Sequence, residues 1–298
     1  MTDLMIAASA PGSGVTLVAA ITTELVREIQ IRNDLAPTAT AAVGRLASAG
    51  VLFGAALKGA ERITLQITGD GPIGGLTADA WRLNETTIGA RGYARNPRAE
   101  IPLNVRGKFD VAGIVGSGFL QVTKSYGVGQ PHNGIVPLFS GEIAEDVAAY
   151  LVQSEQIPSV VALGVLADPA GVRAAGGVLA QVLPGASESA IAALEERART
   201  MPSVTTLIAN GAHARDILRA LAGDGEMHQH PPFDISFACF CTRNKVEIAL
   251  LAHGVDDVRR MAQETQETIA TCEFCKTNYA FTSDELIEIV KSRDGVAN

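Results

Sequence analysis

Ile63, Leu65 and Ile67 alternate with Thr64, Gln66 and Thr68, a period of two that predicts a strand buried on one face. Gly69-Asp70-Gly71-Pro72 closes it as a turn. Upstream, Leu4 to Ala8 and Val15 to Ile21 read as strands, and TELVREIQIR after them as a helix. Pro37 stands where a helix can begin, and an Ala-rich helix follows over 38–57. Short strand-like runs then extend to about Val122, set apart by Gly113, Gly116 and Gly118. Ser140-Gly141-Glu142 opens another helix, with Glu142, Glu145 and Asp146 near its positive end, and it runs to about Gln156 before Pro158. Val160 to Leu166 and Val178 to Leu183 predict further strands. The mixture is α+β, without the regular strand–helix alternation of a doubly wound sheet.

The texture changes at Pro184-Gly185. From Ser187 to about Ala222 the spacing is helical, with Ile191, Leu194 and Met201 on one side and Glu195, Glu196 and Arg197 on the other. Pro202 and Gly211 break this stretch into pieces too short to be stable alone, so they must lean on something else. Gly223 to Pro232 reads as a linker into a last unit. There, 269–281 predicts a strand, a knuckle and a returning strand, and Thr282-Ser283-Asp284-Glu285 is a capping box that starts a final helix. The expected division is a mixed α/β core over 1–184, a helical linker over 185–234 and a small C-terminal domain over 235–298.

Hydrophobic residues make up 47% of the 298, enough for a real core, but aromatics are only 5%. The core must therefore be built from Ala, Val, Leu and Ile, whose burial contributes less per residue, and a region of marginal stability is expected. The net charge of −8, with no local Lys/Arg run, argues against a nucleic-acid partner. The apolar stretch 38–57 has the length of a membrane span, yet Arg45 near its middle would cost roughly 2.5–3.5 kcal/mol there. A helix buried in a soluble domain is the better reading. Met1-Thr2-Asp3 opens without the basic and apolar pattern of a signal peptide, so the expected location is the cytoplasm.

All four cysteines fall in the last unit, as Cys239-x-Cys241 and Cys272-x-x-Cys275. Two close pairs supply two edges of a tetrahedron of thiolates, which is the preferred shell of a structural zinc ion. Four thiolates close that shell, which argues against a catalytic zinc with an open water position. Two roles remain open from spacing. One is a purely structural knuckle holding together a module too small for its own core. The other is a sensor, because a sulfenic acid at one thiol of a tight pair finds a resolving thiol beside it. Loss of the metal would remove on the order of 10 kcal/mol from such a module.

The sequence resembles the heat-shock protein 33 family, the redox-regulated holdase chaperones, over nearly its whole length. The two cysteine pairs carry the resemblance in order and separation, with Cys272-Glu273-Phe274-Cys275 matching in full. The run from Ala36-Pro37-Thr38 to Arg45, Gly69-Asp70-Gly71-Pro72, Arg91-Gly92-Tyr93, the run from Ser140 to Asp146, the run from Gln153 to Ser159, and Ala174-Ala175-Gly176-Gly177 complete it. The resemblance implies one Zn2+ on Cys239, Cys241, Cys272 and Cys275 in a reduced, inactive form. It also implies disulfides Cys239–Cys241 and Cys272–Cys275 after oxidation, with zinc release and unfolding of the zinc domain and linker. Unfolding client proteins are then held without ATP, by a protein expected to be a homodimer when oxidised and not an enzyme. His132 before Asn133-Gly134, and Asn33-Asp34, depart from the family pattern without touching a zinc ligand.

Other motifs are weaker. Ala10 to Thr16 glances at a phosphate loop but lacks its Lys. His228-x-His230 reads as linker, His213 and His253 stand alone, and the acidic residues 142, 145 and 146 are explained by a helix start. No Ser/His/Asp or Cys/His pairing suggests nucleophilic catalysis.

Overall fold

The computed structural model describes residues 2–168 and 170–294, and the chain divides into two compact units, Met1–Ala238 and Cys239–Asn298. In chain order the first unit holds β1 (Leu4–Ala10), β2 (Val15–Ile21), α1 (Thr23–Asn33), α2 (Pro37–Gly54), β3 (Arg62–Gly69), β4 (Leu76–Arg82), β5 (Thr87–Ala94), α3 (Val111–Val115) and β6 (Gly118–Ser125). It continues with β7 (His132–Pro137), α4 (Ala144–Gln153), β8 (Ser159–Asp168), β9 (Gly171–Val182), α5 (Glu188–Thr200), α6 (Val204–Ala209), α7 (Ala214–Ala222), β10 (His228–Gln229) and β11 (Phe233–Phe237).

Its strands form one sheet in the order β7-β6-β3-β4-β5-β11-β1-β2-β9-β8, with β10 added beside β1. Neighbours run antiparallel except β11, which lies parallel to β5 in the middle of the sheet. Apolar side chains leave both faces of β2 and β9. Leu17, Ala19, Val178 and Ala180 point to one side, and Ala20, Ala175 and Leu179 to the other. This two-sided burial is why those strands read as near-continuous apolar runs.

One face is covered by α1, α2 and α4. Helix α2 is buried almost all round, and its small residues let neighbours come close. A Cβ on Gly44 would lie 2.6 Å from Val26 Cγ1 and 2.8 Å from Val165 Cγ2, so α1, α2 and β8 meet there. The charge on Arg45 is answered by Glu142, whose carboxylate lies 2.5 Å from Nη1. Among the described residues no helix is long and apolar enough to cross a membrane. The N-terminus of α1 has no cap of its own. The Asp3 carboxylate accepts the N–H groups of Glu24 (3.0 Å) and Leu25 (2.7 Å) instead.

The opposite face, over β1, β2 and β9, is covered by α5, α6 and α7. Leu194, Val204, Ile208, Ile217, Leu218 and Leu221 are buried against it. These are the short helical pieces expected over 187–222, and their support is this sheet.

Three expectations are corrected. The run around Gly113 is the helix α3, capped by Asp110, which accepts the Gly113 N–H at 2.9 Å, and ended by Gly116 at φ 73°. Helix α4 begins at Ala144, not at Ser140, because Ile143 has φ 70° and Asp146 reaches back to the preceding N–H groups. The strand expected over 178–183 is the second half of the longer β9.

The second unit contains α8 (Arg243–His253), α9 (Val255–Glu264), β12 (Glu267–Thr271), β13 (Asn278–Thr282) and α10 (Ser283–Asp294). Leu250, Val258, Ala262, Phe281, Leu286 and Val290 form its core, a small one for a free-standing module. The capping box is made: Glu285 accepts the Thr282 N–H at 2.8 Å, and the Glu285 N–H reaches Thr282 Oγ1 at 3.3 Å. Helices α8 and α9 fill most of the stretch between the cysteine pairs.

Candidate metal centre

The loop between β12 and β13 is a tight knuckle. The Cys272 N–H donates to Thr277 O (3.0 Å) and the Lys276 N–H to Cys272 O (2.9 Å), while Lys276 takes the left-handed φ of 58° that the turn demands. This places Cys272 and Cys275 on one lip. Cys239 and Cys241 arrive on the segment that precedes α8. That segment is pinned by Arg243, which donates to Ala280 O (2.8 Å), pairs with Glu285 (2.7 Å) and lies over the Phe281 ring.

The four sulfurs lie within 4.8 Å of one another, with Cys239–Cys272 at 3.8 Å and Cys241–Cys275 at 3.3 Å. A tetrahedron of thiolates about 2.3 Å from a central ion has edges of roughly 3.8 Å, so the donor set fits such an ion. Among the described residues this is the one cluster of His, Cys, Asp and Glu able to hold a metal.

The surroundings of Cys241, Cys272 and Cys275 act on these thiols in different directions. Burial and the neighbouring thiols push Cys241 up, and burial also pushes Cys272 up despite the backbone N–H groups of Cys275 and Phe274. At Cys275 burial acts in the same sense, but the Thr277 hydroxyl, 3.2 Å from Sγ, and the Thr277 N–H outweigh it and hold this thiol low. Four thiolates this close repel each other by several kcal/mol per pair even at an effective dielectric of about 20, so only a central cation lets all four ionise. The Tyr279 hydroxyl donates to Cys241 Sγ at 3.2 Å. Tyr279 and Thr277 escaped the sequence reading, although both stand within a few residues of Cys275.

The remaining candidates have structural roles. Glu142 holds Arg45, and Asp146 is fully buried, accepting the N–H groups of Phe139, Ser140, Gly141 and Ile143. The segment 10–16 is the turn between β1 and β2, where Ser13 Oγ donates to Ala10 O. His228 lies in β10 and is exposed, 3.6 Å from Glu226.

The family model described as "Hsp33 protein" matches residues 3–282. A "33 kDa chaperonin" of Acetivibrio thermocellus is 38% identical, covering 98% of both chains, and another of Acaryochloris marina is 42% identical over 97% of both. The crystal structure of the 33 kDa chaperonin (heat shock protein 33 homolog) of Thermotoga maritima superposes with a TM-score of 0.89 at 34% identity, covering 99% of this chain and 100% of that one. With these matches spanning the fold and the cysteine site alike, the chain belongs to the Hsp33 family.

Proposed function

We propose that the chain is a redox-regulated, ATP-independent holdase. In the resting form Cys239, Cys241, Cys272 and Cys275 hold one Zn2+, which offsets half of the thiolates' charge and supplies the binding energy that keeps the small second unit folded. Peroxide or hypochlorite then joins Cys239 to Cys241 and Cys272 to Cys275. Four thiolates give up four electrons, two peroxide molecules take them together with four protons to form four waters, and the zinc loses its donors. The pairing follows the family resemblance. In this reading the protein works in the cytoplasm and dimerises when oxidised.

The observation that carries the proposal is the cover on the sheet. Helices α5 to α7 run 13, 6 and 9 residues, lengths that do not hold helix in water, and they persist by burying the apolar face of β1, β2 and β9. The covering segment leads into β10 and β11, and only Ala238 separates β11 from the first zinc ligand. In this reading, unfolding of the second unit leaves the chain beyond Ala238 without a folded body, and the covering segment is released. Its release uncovers Ile6, Leu17, Ala19 and Val178, an apolar surface of the kind that retains unfolding polypeptides. In this reading 1–184 supplies the surface, 185–234 the cover and 235–298 the sensor, with β11 crossing the last boundary into the sheet.

The test treats zinc-loaded, reduced protein with peroxide or hypochlorite and follows metal release alongside aggregation of a heat-unfolded client enzyme. Zinc release and suppression of aggregation should rise together. Full zinc release with no suppression would refute the holdase and leave a binding module with a purely structural zinc.

A further inference from the structure

We infer that Met201 and Met227 are further oxidation sites, set in the cover itself, whose sulfoxides keep the cover loose after the cysteines have been reduced again. The inference rests on the holdase reading and adds a regulatory input to it. Among the described residues Met5 is sealed in the main core at 0% exposure, while Met201, Met227 and Met261 are half-buried. Each of these three rims a cluster that the switch must break. Met201 and Met227 pack against the apolar cluster beneath α5 to α7, and Met261 packs against the small core of the second unit. An oxidant of a few atoms reaches a half-buried thioether from solvent and not a sealed one.

Both methionines of the cover stand at its joints. Met201 closes α5. Its N–H donates to Arg197 O at 2.8 Å, and extended backbone at φ −60° and ψ 134° carries the chain through Pro202 towards α6. Neither α5 nor α6 lasts undocked, so an apolar contact at their joint serves both. Met227 directly precedes β10, where the covering segment rejoins the sheet by pairing His228 with Ser9 and Gln229 with Ala8. A strand of 2 residues has few hydrogen bonds of its own and depends in the same way on the apolar contact beside it.

Hypochlorous acid converts such a side chain in one step. The thioether sulfur gives an electron pair to the oxygen, the O–Cl bond breaks as an S=O bond forms, and chloride and a proton leave. The product carries a strong hydrogen-bond acceptor where a soft apolar group packed. Kept in the contact, that oxygen is unpaired; turned to water, it takes the contact with it. The cost of one polar group without a partner corresponds to docking weakened about tenfold per methionine, and about a hundredfold for two sites acting independently. Reversal differs from that of the thiols. A disulfide is reopened by thiol exchange, which needs an S–S bond to attack. A sulfoxide has none and waits for a methionine sulfoxide reductase. The cover therefore keeps a record of strong oxidation that thiol reduction and zinc do not erase.

The experiment treats the zinc-loaded full chain with hypochlorite, restores the thiols with dithiothreitol and reloads zinc to its starting content. Hydrogen exchange is then measured over 187–222, with mass spectrometry locating the sulfoxides. Reset wild type should carry sulfoxide at Met201 and Met227 and exchange at least about tenfold faster than untreated protein. Methionine sulfoxide reductases A and B should return it to the untreated rate. Met201→Leu/Met227→Leu, a volume-conserving pair that keeps Met261, should return with dithiothreitol and zinc alone. The reductase arm needs no variant and stands even where the Leu pair does not fold. Sulfoxides at both positions with exchange fully restored would overturn the inference. So would no sulfoxide at either position at the dose that releases zinc, or the same residual exchange in the Leu pair. Suppression of client aggregation by oxidised wild type, measured before the reset, judges the holdase reading separately. If it fails, the holdase reading falls on that measurement, and the exchange comparison still decides the methionines.

Discussion

Leu218→Ala should switch the cover open without any oxidant. Leu218 is fully buried, at 0% exposure, in the cluster that joins α7 to β1 and β2. Truncating such a leucine costs about 2–5 kcal/mol, depending on how far the cavity collapses. Helix α7 has nine residues and does not persist undocked, so docking and helix formation are one event and the whole penalty falls on it. A shift of that size multiplies the undocked population by roughly 30 to several thousand. None of the lost contacts lies in the second unit, so zinc content should not change. The assay is hydrogen exchange over 187–222 in reduced, zinc-loaded protein, run beside suppression of client aggregation. Protection should drop by at least about 2 kcal/mol and holdase activity should appear in the reduced state. Lost protection with no activity would refute the claim that the surface beneath α5 to α7 is the one that holds clients. Unchanged protection would refute the claim that this cluster is what keeps the helices down.

Three further outcomes follow from other parts of the molecule. Tyr279→Phe removes the hydroxyl that donates to Cys241 Sγ, and zinc affinity measured by competition with a chelator should fall about tenfold; an unchanged affinity would mean that the hydroxyl bonds only the metal-free thiol. Asp146→Ala strands four N–H groups at the entry to α4, a loss of about 3 kcal/mol or more that should lower the thermal midpoint of the first unit by roughly 6 °C or more, and a drop under about 2 °C would show that water replaces the carboxylate. Burial raises Asp3 to about 6 from an ordinary 3.8, against the hydrogen bonds from Glu24 and Leu25. The folded form therefore binds more protons than the unfolded one between those values, and this contribution is full below about pH 4 and lost as the pH rises through 6. The difference in thermal midpoint between wild type and Asp3→Asn should move against the wild type across that window, by up to about 3 kcal/mol in equivalent stability, and a flat difference would dismiss the raised value.

The parts of this protein that were legible in its sequence are those whose chemistry is local along the chain. The knuckle at Cys272 and Cys275 and the capping box after it are each written within a few residues, and both formed as expected. Helix α4 shows where local reading stops. The acids at its start were legible, but Asp146 spends its carboxylate on N–H groups upstream of the helix and delays the first turn to Ala144. Strand β11 shows the same limit at longer range. Phe233, Ile235 and Phe237 do alternate, yet nothing local states that they enter the sheet between β1 and β5, a placement set by pairing with strands far away in sequence. In the proposed switch that placement brings the chain out of the sheet with only Ala238 before the first cysteine. Spacing alone pointed to zinc and left a structural knuckle and a sensor both open. In the holdase reading the effector is the apolar face beneath α5 to α7, which burial alone marks out and which is covered by helices too short to persist undocked. In the proposed holdase the working surface itself would not change. Such a switch would ask only for a cover too short to persist undocked and a zinc unit that an oxidant can unfold.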